Sequence, residues 1–107
     1  MSVTPIAGNA SVVTSGGTAV VAVLAVPAGI NGGFITNPLY AADQGIATAE
    51  NLYVDITGNT PGSTAGSGNG TTVALSPGQT YPLVPGQTTA VLVNAASPGH
   101  KFTCIVF

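Results

Sequence analysis

The residues that could carry covalent chemistry are one histidine and one cysteine near the end of the sequence. His100 would have to act as a base for Cys104 or for a serine hydroxyl. Their four-residue spacing on a predicted strand separates them by roughly 13 Å, at about 3.3 Å per residue, which is far beyond hydrogen-bond reach. We therefore interpret Cys104 as an inert core thiol. We interpret His100 as a partly exposed turn residue or, alternatively, as a hydrogen-bonding residue at an interface.

Three carboxylates, Asp43, Glu50 and Asp55, are the other candidates, because two of them could act as general acid and base. No motif brings them together, and no arginine or neighbouring lysine tunes their protonation. Asp43 precedes Gln44 and a glycine, so we interpret it as a turn or cap residue. We interpret Asp55 as a residue on the polar face of a strand.

The motifs of metal and phosphate sites are also missing. Calcium would need a recognisable loop, and zinc would need more ligands than one histidine and one cysteine. No glycine-rich stretch has the lysine or the strand-to-helix context of a phosphate-binding loop. We therefore predict that the protein is not an enzyme and has no catalytic, cofactor-binding or metal-binding residues.

Charge is scarce: charged residues make up 4% of the chain, against about 25% in an average domain. A single lysine, Lys101, and a net charge of −2 exclude nucleic acid and anionic membrane surfaces as partners. The most apolar window, residues 17–30, is too short to span a membrane and lacks the features of a secretory signal. We expect folding in a cytoplasm, and the single cysteine agrees.

A surface this neutral favours association, because net charge helps to keep proteins monomeric. The uncharged polar residues Thr, Ser, Asn, Gln and Gly must form most of it. We therefore expect a protein that belongs to an assembly.

The pattern of short Val/Thr/Ile/Phe/Tyr runs between turn residues predicts an all-β fold. We predict one domain, residues 1–107, forming a jelly-roll-like or β-tulip-like β-sandwich of 7–9 short antiparallel strands, with at most one helical turn near residues 39–51. The predicted strands are residues 3–6, 10–14, 18–26, 33–37, 52–56, 71–75, 79–84, 88–94 and 101–107.

Pro-Gly pairs near residues 77, 85 and 98 predict type II turns, since proline presets the first central position and glycine supplies a positive φ at the second. Pro82 lies inside a predicted strand and cannot donate to a ladder, so we expect an edge strand or a bulge there. Residues 58–70 are rich in Gly, Ser, Thr and Asn, which predicts a flexible loop that is either an idle linker or a contact loop.

Two stretches carry a resemblance: SGGTAVVAVLAVPAGINGGFITNPLYAADQGIATAENLYVD, residues 15–55, and PGQTYPLVPGQTTAVLVNAASPGHKFT, residues 77–103. They resemble the small Gly/Thr/Val-rich virion proteins of tailed bacteriophages, of the head decoration or cement type. The resemblance implies a structural virion protein that binds the major capsid protein or other virion proteins as a homo-oligomer, with a trimer favoured.

Candidate contact residues are the tyrosines, because Tyr is enriched in interface cores. Residues 1–9 are a candidate N-terminal arm.

The alternative function is a receptor- or glycan-binding module or a fibre or tail adaptor, for which Tyr53 beside Asp55 is the one suggestive cluster. A self-assembling surface-layer or pilus-like subunit is a third class. The interface residues we predict are Tyr40, Tyr53, Tyr81 and Phe107.

Overall fold

The computed structural model describes residues 4–5, 11–12, 20–24, 32–62, 70–84 and 91–106. Within them almost all regular structure is extended, and each predicted strand overlaps an observed one. In chain order the elements are β1 (Thr4–Pro5), β2 (Ser11–Val12), β3 (Val20–Leu24), β4 (Gly33–Thr36), α1 (Ala41–Gln44), β5 (Leu52–Asp55), β6 (Val73–Leu75), β7 (Thr80–Leu83), β8 (Val91–Asn94) and β9 (Lys101–Val106).

The strands form two antiparallel sheets. The first has the strand order β1-β9-β4-β7, with β2 also paired to β9, and the second has the order β3-β8-β5-β6. Successive strands often lie in different sheets, as β3 and β4 or β8 and β9 do, so the chain crosses repeatedly between the two. The all-β prediction is confirmed for the described residues.

One hydrophobic cluster draws side chains from both sheets. The first sheet contributes Ile35 of β4 and Phe102 of β9, and the second contributes Val54 of β5 and Val93 of β8. All four are fully or almost fully buried. Complete burial of such a side chain stabilises the fold by roughly 1.5–3 kcal/mol, so this cluster is a main source of stability.

Strand β5 departs from the alternation that the sequence predicts. Tyr53 and Asp55 are expected on an outer polar face, but every residue of β5 is buried. Part of this face of β5 is covered by residues that follow the strand in the chain. Asn94, opposite Tyr53 in the ladder, donates a hydrogen bond of 3.0 Å to the buried Pro61 carbonyl. The prediction of an exposed polar face was therefore wrong, because a following segment packs over it.

The Pro-Gly turn predicted near residue 77 is confirmed. Gly78 has a φ of +86°, and the Gln79 amide donates to the Ser76 carbonyl at 3.0 Å, as a type II turn requires. Gly99, in the turn predicted near residue 98, has a φ of +80°. Positive φ at both glycines explains why the chain uses Pro-Gly pairs to separate its strands.

The edge position predicted for the Pro82 strand is also confirmed. Within the described sheet, β7 lies at the end of the strand order and Pro82 is opposite Phe34. The Asn37 amide donates to the Gln79 carbonyl at 3.0 Å, which makes that pair a hydrogen-bonded one. Hydrogen-bonded pairs recur at every second residue, so the Phe34–Pro82 pair falls between them and the proline nitrogen points away from β4.

The helical turn predicted within residues 39–51 is α1. It begins after Tyr40, whose extended backbone forms the N-cap, and it ends at Gly45, which has a φ of +74°. Gly45 terminates the helix because a left-handed residue cannot continue it and glycine adopts that conformation without a Cβ clash.

Several sequence predictions fall wholly or partly outside the described residues. These are the turn near residue 85, the central residues 63–69 of the 58–70 loop, Phe107, and most of the candidate arm at residues 1–9. Within that arm, Thr4–Pro5 pairs with β9 in the first sheet.

Candidate functional site

His100 lies at the centre of a buried polar cluster. Its exposed fraction is 0%, so the prediction of a partly exposed turn residue was wrong. The ring Nε2 is 2.8 Å from Asn37 Oδ1, and Nδ1 is 3.4 Å from Glu50 Oε2. The turn before β9 thus brings the ring between groups that are far from it in sequence.

The orientation of Asn37 identifies which ring nitrogen carries the proton. The Asn37 Nδ2 group donates to the carbonyl oxygens of Glu50 (2.9 Å) and Leu75 (3.0 Å). Asn37 Oδ1 must then accept from His100, so Nε2 carries the hydrogen. Burial lowers the pKa of His100, and the Glu50 carboxylate offsets only part of that effect. At neutral pH the ring is neutral and Nδ1 presents a lone pair to Glu50.

Glu50 is held chiefly by Ser97. The Ser97 amide donates to Oε2 at 2.9 Å, and the Ser97 hydroxyl donates to Oε1 at 2.5 Å. Burial raises the pKa of Glu50, but the two hydrogen bonds from Ser97, together with His100 when its ring is protonated, outweigh it and leave the pKa below its ordinary value. The carboxylate is therefore ionised at neutral pH.

Gln44 connects this group to α1. Its Nε2 donates to the Pro38 carbonyl at 2.6 Å, and its Oε1 accepts from the Glu50 amide at 2.9 Å. Gln44 is fully buried, so these bonds fix the end of the helix against the loop that leads into β5. We call Asn37, Gln44, Glu50, Ser97 and His100 the Glu50 cluster.

The Glu50 cluster positions backbone segments, and its histidine has no access to solvent. Both ring nitrogens of His100 face Asn37 and Glu50, and neither contacts Ser97 or Cys104 in the described structure. No local sequence pattern predicts the cluster. One signal in the sequence could have indicated it: this chain has few ionisable groups, yet it has one glutamate and one histidine. Such groups are seldom buried unless they are hydrogen-bonded or paired with another group, so the two could have been expected to interact.

A second carboxylate site lies at the other end of β5. Asp55 accepts from the Thr57 amide (2.8 Å) and hydroxyl (2.5 Å) and from the Thr71 hydroxyl (2.5 Å). Burial raises the pKa of Asp55, but the bonds from Thr57 and Thr71 outweigh it and leave the pKa below its ordinary value. Tyr53 and Asp55 share a face, but both are buried, so the cluster suggested for glycan binding is not on the surface.

The interpretation of Cys104 as a core thiol is confirmed. It belongs to the hydrophobic cluster, and burial raises the pKa of its thiol to about 11. The thiolate, which is the reactive form, is therefore rare at neutral pH.

The predicted interface residues have different environments. Tyr40 is 66% exposed, Tyr53 is buried, and Tyr81 is partly buried against the hydrophobic cluster. Phe107 lies outside the described residues. Of the three tyrosines, Tyr40 alone offers most of its side chain to a partner.

Tyr40 belongs to an exposed patch around α1, of which the sequence predicts Tyr40 alone as a contact residue. Leu39, next to it, is 54% exposed. Asp43 projects from the first turn of α1, and the Lys101 side chain passes the helix end, with Cε 3.3 Å from the position a Cβ would take on Gly45. Both charged residues are exposed. We call Leu39, Tyr40, Asp43 and Lys101 the α1 patch.

Within the described residues, no three His, Cys, Asp or Glu side chains are grouped to hold a metal ion. No helix in that part of the chain has the length and apolar character needed to cross a membrane. No family model matches the chain, and searches of curated proteins and of solved structures also found no match.

Proposed function

We propose that the protein is a non-enzymatic structural component of a tailed-bacteriophage virion, which decorates or cements the capsid through protein–protein contacts. It would act in the virion as a homo-oligomer, after assembly in the host cytoplasm. Its partner would be the major capsid protein or another virion protein. The proposal starts from the resemblance of residues 15–55 and 77–103 to decoration proteins, which favours a trimer.

The observation that carries the proposal is the lack of charge on the described surface. Of the four charged residues, Glu50 and Asp55 are bonded within the fold, which leaves Asp43 and Lys101 exposed. Burying a charge at an interface costs free energy unless it is well paired. A surface with so few charges can be covered by a neighbouring protein with little of this cost.

The architecture we propose is a single β-sandwich. Two antiparallel sheets that contribute side chains to one hydrophobic cluster support it. On the first sheet, the Thr36, Thr80 and Thr103 positions lie side by side across three strands, and the Thr36 and Thr80 hydroxyls are 2.8 Å apart.

The alternative, a receptor- or glycan-binding module or a fibre or tail adaptor, has less support. Glycan sites combine exposed aromatic rings with free carboxylates or amides. Here Tyr53 is buried, and both Asp55 oxygens already accept hydrogen bonds from Thr57 and Thr71.

The test is co-sedimentation of the purified protein with capsids assembled from the major capsid protein of the same source, beside a glycan array. We expect saturable capsid binding that changes little between about 50 and 500 mM salt, because screening weakens charged contacts and few are present. Glycan binding without capsid binding would contradict the proposal and favour the alternative.

A further inference from the structure

The exposed charges of this chain are concentrated in one place. Glu50 is bonded to Ser97, and Asp55 is bonded to threonines. Asp43 and Lys101 remain, one of each sign, and both lie at α1. Neither forms an ion pair within the described structure.

The same place carries the most exposed large apolar side chains of the described surface. Tyr40 and Leu39 are 66% and 54% exposed and immediately precede α1. Helix rise is about 1.5 Å per residue, so Tyr40 and the helix end at Gly45 are roughly 8 Å apart. Asp43 lies between them, and the Lys101 stem passes Gly45, so all four residues of the α1 patch lie on or beside this one-turn helix.

The residue at the helix N-cap is unfavourable for the helix itself. Tyr40 occupies this position and makes no side-chain capping hydrogen bond. Serine, threonine, aspartate or asparagine would cap α1 better by about 1 kcal/mol. The chain uses such residues freely elsewhere, so an exposed tyrosine here indicates a role outside the fold.

The patch is also held rigidly from beneath. Gln44 bonds the Pro38 carbonyl just before Leu39, and a Cβ placed on Gly78 would lie 3.2 Å from Leu39 Cδ1. Little loop entropy is then lost when a partner covers Leu39, which favours binding.

We propose that the α1 patch is a self-complementary contact through which two copies of this chain pair about a two-fold axis, with Asp43 of each copy beside Lys101 of the other. In a two-fold contact the same surface faces itself, so a patch with both signs of charge is complementary to its own rotated copy. Tyr40 and Leu39 lie in the apolar centre. The inference rests on the homo-oligomer part of the proposed function and is independent of capsid attachment.

The two-fold contact differs from the trimer that the resemblance favours. A cyclic trimer joins two different surfaces of each subunit, whereas here both charges lie on one surface. Light scattering after size exclusion, from low to high micromolar concentration, separates the two. We expect a mass that rises to twice the 10.4 kDa of the chain. A trimer would overturn the two-fold contact and leave the capsid proposal standing, and a monomer throughout would overturn any self-association.

Charge reversal tests the contact itself. Asp43→Lys and Lys101→Glu each turn two attractive contacts into two repulsive ones, so each variant alone should dimerise at least tenfold more weakly. An equimolar mixture restores both contacts, because one variant carries two positive and the other two negative charges at these positions. Recovery of the dimer in the mixture supports the proposal. Unchanged dimerisation of either variant alone, or no recovery in the mixture, overturns it.

The apolar centre has a matched control. Tyr40→Ser should weaken the dimer at least tenfold, whereas Val84→Ser, at a 51% exposed position beyond the far end of β7, should leave it unchanged. Equal effects of the two substitutions would contradict the assignment of the contact to α1. Circular dichroism checks that each variant is folded.

Discussion

Strand β5 has a bonded carboxylate at each end, and the two are held differently. Glu50 precedes the strand and belongs to a cluster with buried Asn37 and His100. Asp55 ends the strand and is bonded by the exposed threonines Thr57 and Thr71. If the first cluster is broken, its partners are left buried without bonds, whereas the exposed threonines of the second can bond water once Asp55 is replaced. The two sites should therefore differ in how much stability they contribute, although both hold an ionised carboxylate.

The largest effect is expected from Asn37→Ala in the Glu50 cluster. It would remove the hydrogen bonds of Asn37 to the carbonyls of Glu50 and Leu75 and to the His100 Nε2–H, so we expect a loss of about 3–4 kcal/mol in the free energy of unfolding. Urea unfolding followed by circular dichroism measures it. Asn51→Ala, at a partly exposed asparagine whose side chain makes no hydrogen bond within the described residues, is the matched control and should cost less than about 0.5 kcal/mol. Similar losses for both variants would contradict the importance of the cluster.

Asp55→Asn should have an intermediate effect, about 1–2 kcal/mol, because the amide keeps one acceptor for the threonines but loses the charge. The same unfolding measurement applies. Asp43→Asn removes an exposed carboxylate of the same type and should cost less than about 0.5 kcal/mol at a protein concentration where the chain is monomeric. If Asp55→Asn were as destabilising as Asn37→Ala, the proposed difference between the two ends of β5 would not exist.

A pH titration should show a smaller effect that separates the two sites. The folded-state pKa of His100 lies below its ordinary value of 6.5, so the folded protein binds this proton more weakly than the unfolded chain. Stability is therefore complete above pH 6.5 and is lost as the pH falls through the folded pKa. The pKa values of Glu50 and Asp55 are also lowered, so further loss begins only below about pH 4.5.

His100→Gln distinguishes these two stages. It should remove the loss that begins below pH 6.5 and keep the one that begins below about pH 4.5, whatever its effect on stability at neutral pH. The measurement is the free energy of unfolding in urea at pH values from 7.5 down to 4. Persistence of the first stage in the variant would show that another group causes it.

The smallest effect is expected from Thr71→Val. Its hydroxyl donates to Asp55, which keeps both hydrogen bonds from Thr57 in the variant, so we expect a loss of about 1 kcal/mol. In combination with Asp55→Asn the loss should be less than the sum, since both substitutions weaken the same bond. Additive losses would indicate that Thr71 acts on stability through a different contact.

Much of the fold could be predicted from the sequence because strands and turns depend on local residue patterns. The Val- and Thr-rich runs predicted the strand positions, and Pro-Gly pairs predicted the turn at Gly78. Pro82 predicted an edge strand or a bulge from the missing donor alone, and the structure has the edge strand. These features need only the residue types within a few positions of one another.

The Glu50 cluster could not be predicted in this way. Asn37 and His100 are 63 residues apart and meet only because β4 and β9 are neighbours in the first sheet. No local pattern encodes that pairing, so His100 was interpreted from its turn alone. The burial of Asp55 was missed for a similar reason, since alternation describes a strand by itself and not the segments that cover it.

Proline in the edge strand has a consequence for how the protein avoids fibrous aggregation. Edge strands commonly resist strand addition by carrying lysines, but this chain has a single lysine, and it lies on β9. The Pro82 nitrogen, which points outward from β7, denies an incoming strand the central donor it would need for a continuous ladder. The missing N–H of Pro82 thus limits strand addition, as charged side chains do at other edge strands. The surface can therefore stay neutral without open-ended growth of the sheet at this edge.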